Sequence, residues 1–274
     1  MKKVYFTILA LSFFAFFTSC DLLNKNDSLT SADIVEGLKT ALNLGTDSSS
    51  NKLSQLNGYY KDKLLKIALP PEADVILSHK NDQIFQTLGL TSQIDAQIEN
   101  VILSINRSAE DAAKDAAPIF KNAITNLSIA DGLSILNGKN PSTTKAGTIT
   151  ESFDSLAATN YLQTQTLTDL TKVFSTPINK SLDKDLGLGF STNKAWSTLT
   201  TLYNQGVDKY NDANLFGLYT NLEKVKTPDL GTYCTNKALI GLFSKVGDEE
   251  KKIRKNPYDW AIDIIRKVFG SVSK

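Results

Sequence analysis

From Gln93 to Leu127 apolar or small residues recur three or four positions apart without interruption: Ile94, Ile98, Val101, Ile105, Ala109, Ala112, Ala116, Ile119, Ala123 and Leu127. That spacing is one face of an α-helix and is incompatible with a strand. At ~1.5 Å per residue the run would extend roughly 50 Å, so the rest of the chain has to be packed along it. The opposite face carries Glu99, Asn106, Arg107, Glu110, Asp111, Lys114 and Lys121 and is expected to be wet, with Arg107/Asp111 and Glu110/Lys114 as neighbours of opposite charge.

Alanines at 109, 112, 113, 116 and 117 leave room for another helix to approach closely. Pro118 cannot donate a backbone hydrogen bond and disfavours helix at Ala117, which predicts a kink or break there. Shorter helical stripes flank this spine. One starts at Ser31 and stops at Gly45, one follows Leu53 to Ala68, and one opens at Pro71 and stops at Gly89. Others cover Ser128–Asn137, Leu167–Leu182 across Pro177, Trp196–Tyr203, Leu230–Val246 from a capping Thr227, and Pro257–Phe269. Thr46–Lys52, rich in serine, and Asn137–Pro141 are expected as a loop and a turn. No stretch sustains the alternation of a strand. The fold expected is an all-α bundle of about nine to eleven helices around one long central helix, spanning residues 31–270 as one domain or two coupled lobes.

The first twenty residues are of another kind. Lys2 and Lys3 precede an apolar run from Val4 to Phe17, and Thr18-Ser19 lead to Cys20. Fourteen residues are too few to span a bilayer. The pattern looks like a bacterial lipoprotein signal, residues 1–19, cleaved before a cysteine that is then acylated; Phe17 stands where leucine or valine is usual. An ordinary secretory leader with an incidental Cys20 is the alternative. Residues 20–30 lack periodicity and read as a flexible tether. The expected location is therefore the cell envelope, with the chain held by acyl chains on Cys20 in the outer membrane and facing the periplasm.

Charge and residue counts exclude several functions. The chain has 30 basic and 29 acidic side chains, and its net charge of +1 becomes −1 when Lys2 and Lys3 leave with the leader. Such a balance argues against nucleic acid as a partner. His79 is the only histidine and Cys234 the only thiol after Cys20, so neither a metal site nor an internal disulfide is expected. Cys234 lies on an apolar stripe and reads as a small core residue. Asp183-Lys184-Asp185-Leu186-Gly187 faintly resembles a calcium loop. Leu188 occupies the position of its glycine and Lys194 that of its bidentate glutamate, which excludes calcium there.

Three acids, Glu110, Glu249 and Glu250, are candidates for acid–base work, yet none is paired in sequence with a histidine, a cysteine cluster or a phosphate-binding glycine loop. Lys251, Lys252, Arg254 and Lys255 form a candidate interaction surface for an anionic head group or an acidic partner. Acids followed by bases are also the order that the helix dipole prefers, and Asn256-Pro257 can start a final helix whose apolar side docks on the domain.

Leu29–Leu44 (LTSADIVEGLKTALNL), Asn106–Leu133 (NRSAEDAAKDAAPIFKNAITNLSIADGL) and above all Asn236–Gly270 (NKALIGLFSKVGDEEKKIRKNPYDWAIDIIRKVFG) resemble the bacterial lipoprotein and periplasmic family known as domain of unknown function 4197. The resemblance covers most of Leu29–Gly270 and is looser from Thr143 to Lys224. It implies a helical exported domain and brings no functional residue with it. The function expected is that of a non-catalytic, lipid-anchored binding or scaffold module, with no cofactor and with an envelope protein as its partner. An envelope enzyme using carboxylates, or a carrier of an apolar ligand between helices, are the alternatives.

Overall fold

The structure, a computed structural model, describes residues 28–139, 153–214, 219–226 and 229–273. The leader, the tether as far as Asp27, Asn140 and Pro141 of the expected turn, and Thr227 lie outside the described residues. Among those described there are ten α-helices and no strand, so the all-α expectation holds.

The first helix, α1 (Ser31–Leu53), is capped by Thr30, one residue before the expected cap Ser31. Thr30 accepts from the Asp33 N–H at 3.1 Å while Asp33 accepts from the Thr30 N–H at 2.9 Å, a reciprocal capping box. Gly45 does not stop the helix. It lies inside α1, where a Cβ would meet Val246 at 3.1 Å, and the supposed loop after it is two further helical turns. Thr46, Ser49 and Ser50 are buried there; Ser49 donates to the Gly45 carbonyl at 2.6 Å and Ser50 to the Ala113 carbonyl at 2.6 Å. Short hydroxyl side chains let neighbouring backbones approach while spending their own polarity on carbonyls.

Residues 54–70 are not helical, contrary to the stripe read there: Leu56 and Leu64 are exposed, and Tyr59 is fully buried. A tight turn follows, then α2 (Asp74–His79) and α3 (Gln83–Thr87), in place of one continuous helix. Gly89, at φ +66°, leads into α4 (Leu90–Ala113).

The spine is broken earlier than the proline suggested. Lys114 and Asp115 separate α4 from α5 (Ala116–Asn126), and Pro118 becomes the third residue of α5, where no intrahelical partner for its N–H is needed. The break rotates the buried face, so that Ala116, Phe120 and Ile124 go inward while Ile119 and Ala123 are only partly covered. The remaining helices are α6 (Gly132–Leu136), α7 (Ala157–Leu182, running through Pro177), α8 (Thr192–Ala213), α9 (Leu230–Lys255) and α10 (Asp263–Gly270). On α6 Leu133 is exposed, and Ile135 and Leu136 take the buried positions. Asp229 caps α9 by accepting from the Gly231 N–H at 2.9 Å. The last stretch is two pieces: a 3-10 turn at Pro257–Asp259, extended backbone at Trp260, and then α10.

Helix α9 is the hub. It packs against α1 on one side and α7 on the other, α4 lies between α7 and α8, and α10 and α5 flank α1. Close approach is bought with glycine: a Cβ at Gly241 would meet Tyr59 at 2.5 Å, at Gly247 Leu156 at 2.7 Å, and at Gly37 Val268 of α10 at 2.6 Å. Gly37→Ala should therefore lower stability by about 1–3 kcal/mol through overpacking. Val268→Ala should cost less in that background than alone, measured as a double-mutant cycle by thermal unfolding. Additive losses would show that the two residues do not press on each other.

Candidate functional site

The three acids put forward for catalysis are buried in the structure, and each is engaged. Glu250 on α9 accepts from the Ala158 N–H at 3.0 Å, the Thr159 N–H at 2.7 Å and the Thr159 hydroxyl at 2.6 Å. These N–H groups belong to the first turn of α7, whose own cap position, Leu156, provides no side-chain acceptor. The α9 carboxylate supplies the cap from across the interface. Arg254, one turn on, completes the arrangement: its Nε donates to Glu250 at 2.8 Å, and its other nitrogens donate to the Leu136 and Ile135 carbonyls at 2.7 and 2.9 Å, the end of α6. Both side chains are almost wholly buried, at 3% and 6% exposure.

Glu110 serves the loop after α1 in the same way. One oxygen accepts from the Tyr59 and Tyr60 N–H groups, both at 3.2 Å, and the other accepts from Arg107 at 2.5 Å. Arg107 reaches on to Asn57 at 3.0 Å. Asn106 holds the far end of this loop, accepting from the Ile67 N–H at 2.9 Å and donating to the Ile67 carbonyl at 2.8 Å. The face of α4 expected to be wet is thus covered over Asn106 and Glu110, and the pairs expected four apart form three apart instead, Arg107 with Glu110 and Lys114 with Asp111 at 2.9 Å. Glu249 is pinned between Lys52 and Lys252. Burial raises its carboxyl, and the two ammonium groups outweigh this and hold it below its ordinary range.

The candidate surface at the end of α9 divides. Lys251, Lys252 and Lys255 reach solvent; Arg254 turns inward to Glu250 and is withdrawn from it, because its guanidinium is the partner that the buried carboxylate and the α6 carbonyls require. His79 is partly exposed and pairs with Asp82 at 2.8 Å. Cys234 is fully buried, and burial first, then Asp229, pushes its thiol up to about 12, which removes the thiolate at neutral pH. Asp185 spends its carboxylate on the N–H groups of Gly187, Leu188 and Gly189, and no group of three or more His, Cys, Asp or Glu side chains among the described residues is placed to hold a metal ion.

One concavity did not emerge from the sequence. A cleft of ≈ 690 Å³ runs between α5 and α7, floored by Ile119, Ala123, Leu127, Leu170 and Val173. Asn122, Asn126, Gln165 and Thr166 stand along it, Tyr161 closes one end by donating to the Ser128 carbonyl at 2.8 Å, and Asp169 is its sole charged lining residue. The shifted face of α5 creates it, since Ile119 and Ala123 are freed from the core by the break at Lys114–Asp115. The lining offers apolar contact and neutral hydrogen bonding, with no convergence of titratable groups.

Removing the charge of Glu250 should be expensive. Glu250→Gln leaves Arg254 buried without a counter-charge, and a loss of about 3–5 kcal/mol is expected in urea unfolding. A change under 1 kcal/mol would mean that water already serves the pair.

Comparison with curated proteins and with solved structures gives no match. Residues 28–270 match a family model described as "Protein of unknown function (DUF4197)", nearly the whole of the described helical domain. The chain belongs to that family.

Proposed function

We propose that the protein is a lipid-anchored helical module of the bacterial cell envelope that binds a partner and does not catalyse a reaction. The observation that carries the second half is the fate of the buried acids: Glu110, Glu249 and Glu250 each close a structural contact, so none is free to move a proton at a substrate. The first half is supported by the leader of residues 1–19 that runs up to Cys20; among the described residues no helix is long and apolar enough to cross a membrane. In this reading acyl chains on Cys20 hold the domain at the outer membrane, facing the periplasm. Cys20→Ala should move the protein from the membrane pellet to the soluble fraction after a high-salt wash; retention in the pellet after that wash removes the anchor from the proposal.

A second reading is favoured by the α5–α7 cleft, whose volume and aliphatic floor suit a small apolar ligand with a neutral hydrogen-bonding end. Carriage of such a ligand is compatible with the anchored module. N-phenyl-1-naphthylamine, an uncharged apolar fluorophore, should brighten on binding the protein, and Ala123→Trp, which fills the cleft, should abolish the signal. Equal signals from both proteins would place the dye elsewhere and end the carrier reading.

A further inference from the structure

The loop between α1 and the Pro70-Pro71 turn presents Leu64 at 93% exposure and Leu56 at 73%, the two most exposed large apolar side chains among the described residues. Slack does not account for this. Asn106 grips Ile67, Glu110 grips Tyr59 and Tyr60, and the Tyr233 hydroxyl donates to the Ala68 and Leu69 carbonyls, both at 3.0 Å. Both ends of the loop are therefore clamped, and the leucines are held outward by a rigid base.

The surround of these leucines is cationic. The loop carries Lys61, Lys63 and Lys66, all exposed, with Lys66 over the Tyr60 ring at 4.4 Å. Asp62, which accepts from the Leu64 N–H at 3.0 Å, pairs with Lys245 of α9 at 2.8 Å; Lys245 and Lys251 share Asp248 at 3.9 and 3.8 Å, and Lys52 and Lys252 share Glu249. The Asp62–Lys245 pair joins the loop to α9 and the Lys52–Glu249 pair joins α9 to the end of α1, and this lysine-rich face draws on segments that carry Lys52, Lys61, Lys63, Lys66, Lys245, Lys251 and Lys252 against Asp62, Asp248 and Glu249. That local excess belongs to a chain whose net charge is only +1.

We propose that this face docks on an anionic lipid surface, with Leu64 and Leu56 inserted at the level of the head groups and the lysines paired with lipid phosphates. Charge complementarity selects the partner: exposed leucines on a loop that also carries lysines match a bilayer interface, where lysine stems lie along the acyl region and ammonium groups reach the phosphates. A protein partner fits less well, because interface cores are depleted of lysine and enriched in arginine and aromatic residues. The proposal is independent of Cys20. It is also compatible with an anchor there: α1, 23 residues long, runs about 34 Å, and the ten residue-to-residue steps from Cys20 to Thr30 can reach at most about 36 Å, so loop and anchor can serve one membrane.

The test uses the chain from Asp21 onward, which keeps every described residue and has no acyl chain. It should float with phosphatidylglycerol vesicles at low salt, stay behind with phosphatidylcholine vesicles, and be released by 0.5 M salt. Lys61→Glu with Lys63→Glu should weaken binding by about twentyfold or more, and Leu64→Asp by roughly tenfold; circular dichroism should show both variants folded, since these side chains are exposed. With Cys234 buried, an environment-sensitive dye on Leu64→Cys should shift to the blue on phosphatidylglycerol vesicles, whereas the same dye on Leu133→Cys, at the Ile34 end of α1, should not. No flotation, equal binding to both lipids, unchanged binding of Leu64→Asp, or binding to immobilised polyglutamate without binding to vesicles would each overturn the proposal; the last would assign the face to an acidic protein. Cys20→Ala fails or succeeds on the salt-resistant fraction in cells, so the two tests cannot be confused.

Discussion

The Glu250–Arg254 pair is the joint on which the bundle turns. One turn of α9 carries an anion that closes the start of α7 and a cation that closes the end of α6, so a single stretch of helix satisfies orphan donors of one neighbour and orphan acceptors of another. Charges buried this deeply cost more in desolvation than one ion pair recovers, and they are tolerable here because backbone groups use the remaining lone pairs and protons. The pair therefore acts as a register mark: α7 can start only where Ala158 and Thr159 face Glu250.

The same economy sets how closely the helices approach. Glycines 37, 45, 241 and 247 lie where α1 and α9 meet their neighbours, and hydroxyl residues of α1 fold their polarity back onto carbonyls. Large aliphatics fill the space that remains: Leu38 and Leu42 from α1, Leu239 and Leu242 from α9. Without bulk at the crossings the interior is shaped by backbone, which leaves little latitude for a different packing.

The architecture was legible where burial and period coincide. The stripe of α4 holds residue by residue, and those of α8 and of α9 as far as Val246 hold with Leu202 and Tyr233 only partly covered, because a helix with one apolar face has one way to bury it. What was not legible is polarity that points inward. Ser49 and Ser50 read as loop, Asn106 and Glu110 as a wet face, and Glu249, Glu250 and Arg254 as surface; in each case the partner is backbone from a segment 39 or more residues away in the chain, or an ion pair that only the fold brings together, apart from Ser49, which bonds its own helix. One signal was available for Glu250: α7 begins at Leu156-Ala157 with no residue able to cap it, and a helix lacking its own cap needs one from elsewhere. The α5–α7 cleft was out of reach, since it exists only because the spine breaks ahead of Pro118 and turns Ile119 and Ala123 outward.

Internal use of the acids also bears on what the surface can do. Thirty cations and twenty-nine anions give a chain that looks featureless from outside, but the balance is not uniform in depth. Glu110, Glu249 and Glu250 lie within the fold, and of their four cationic partners Arg107 and Arg254 are drawn in beside them while Lys52 and Lys252 remain about half exposed. Around Glu249, then, the negative charge is sheltered and both positive charges reach water. The arginines went to the buried pairs, where planar guanidinium groups can bridge a carboxylate and carbonyls together, and the lysines were left at the boundary, where a flexible ammonium group suits a solvated anion. Part of the lysine excess is thus a consequence of how the interior is held, and the loop that Glu110 and Asn106 pin in place adds two exposed leucines to the same region.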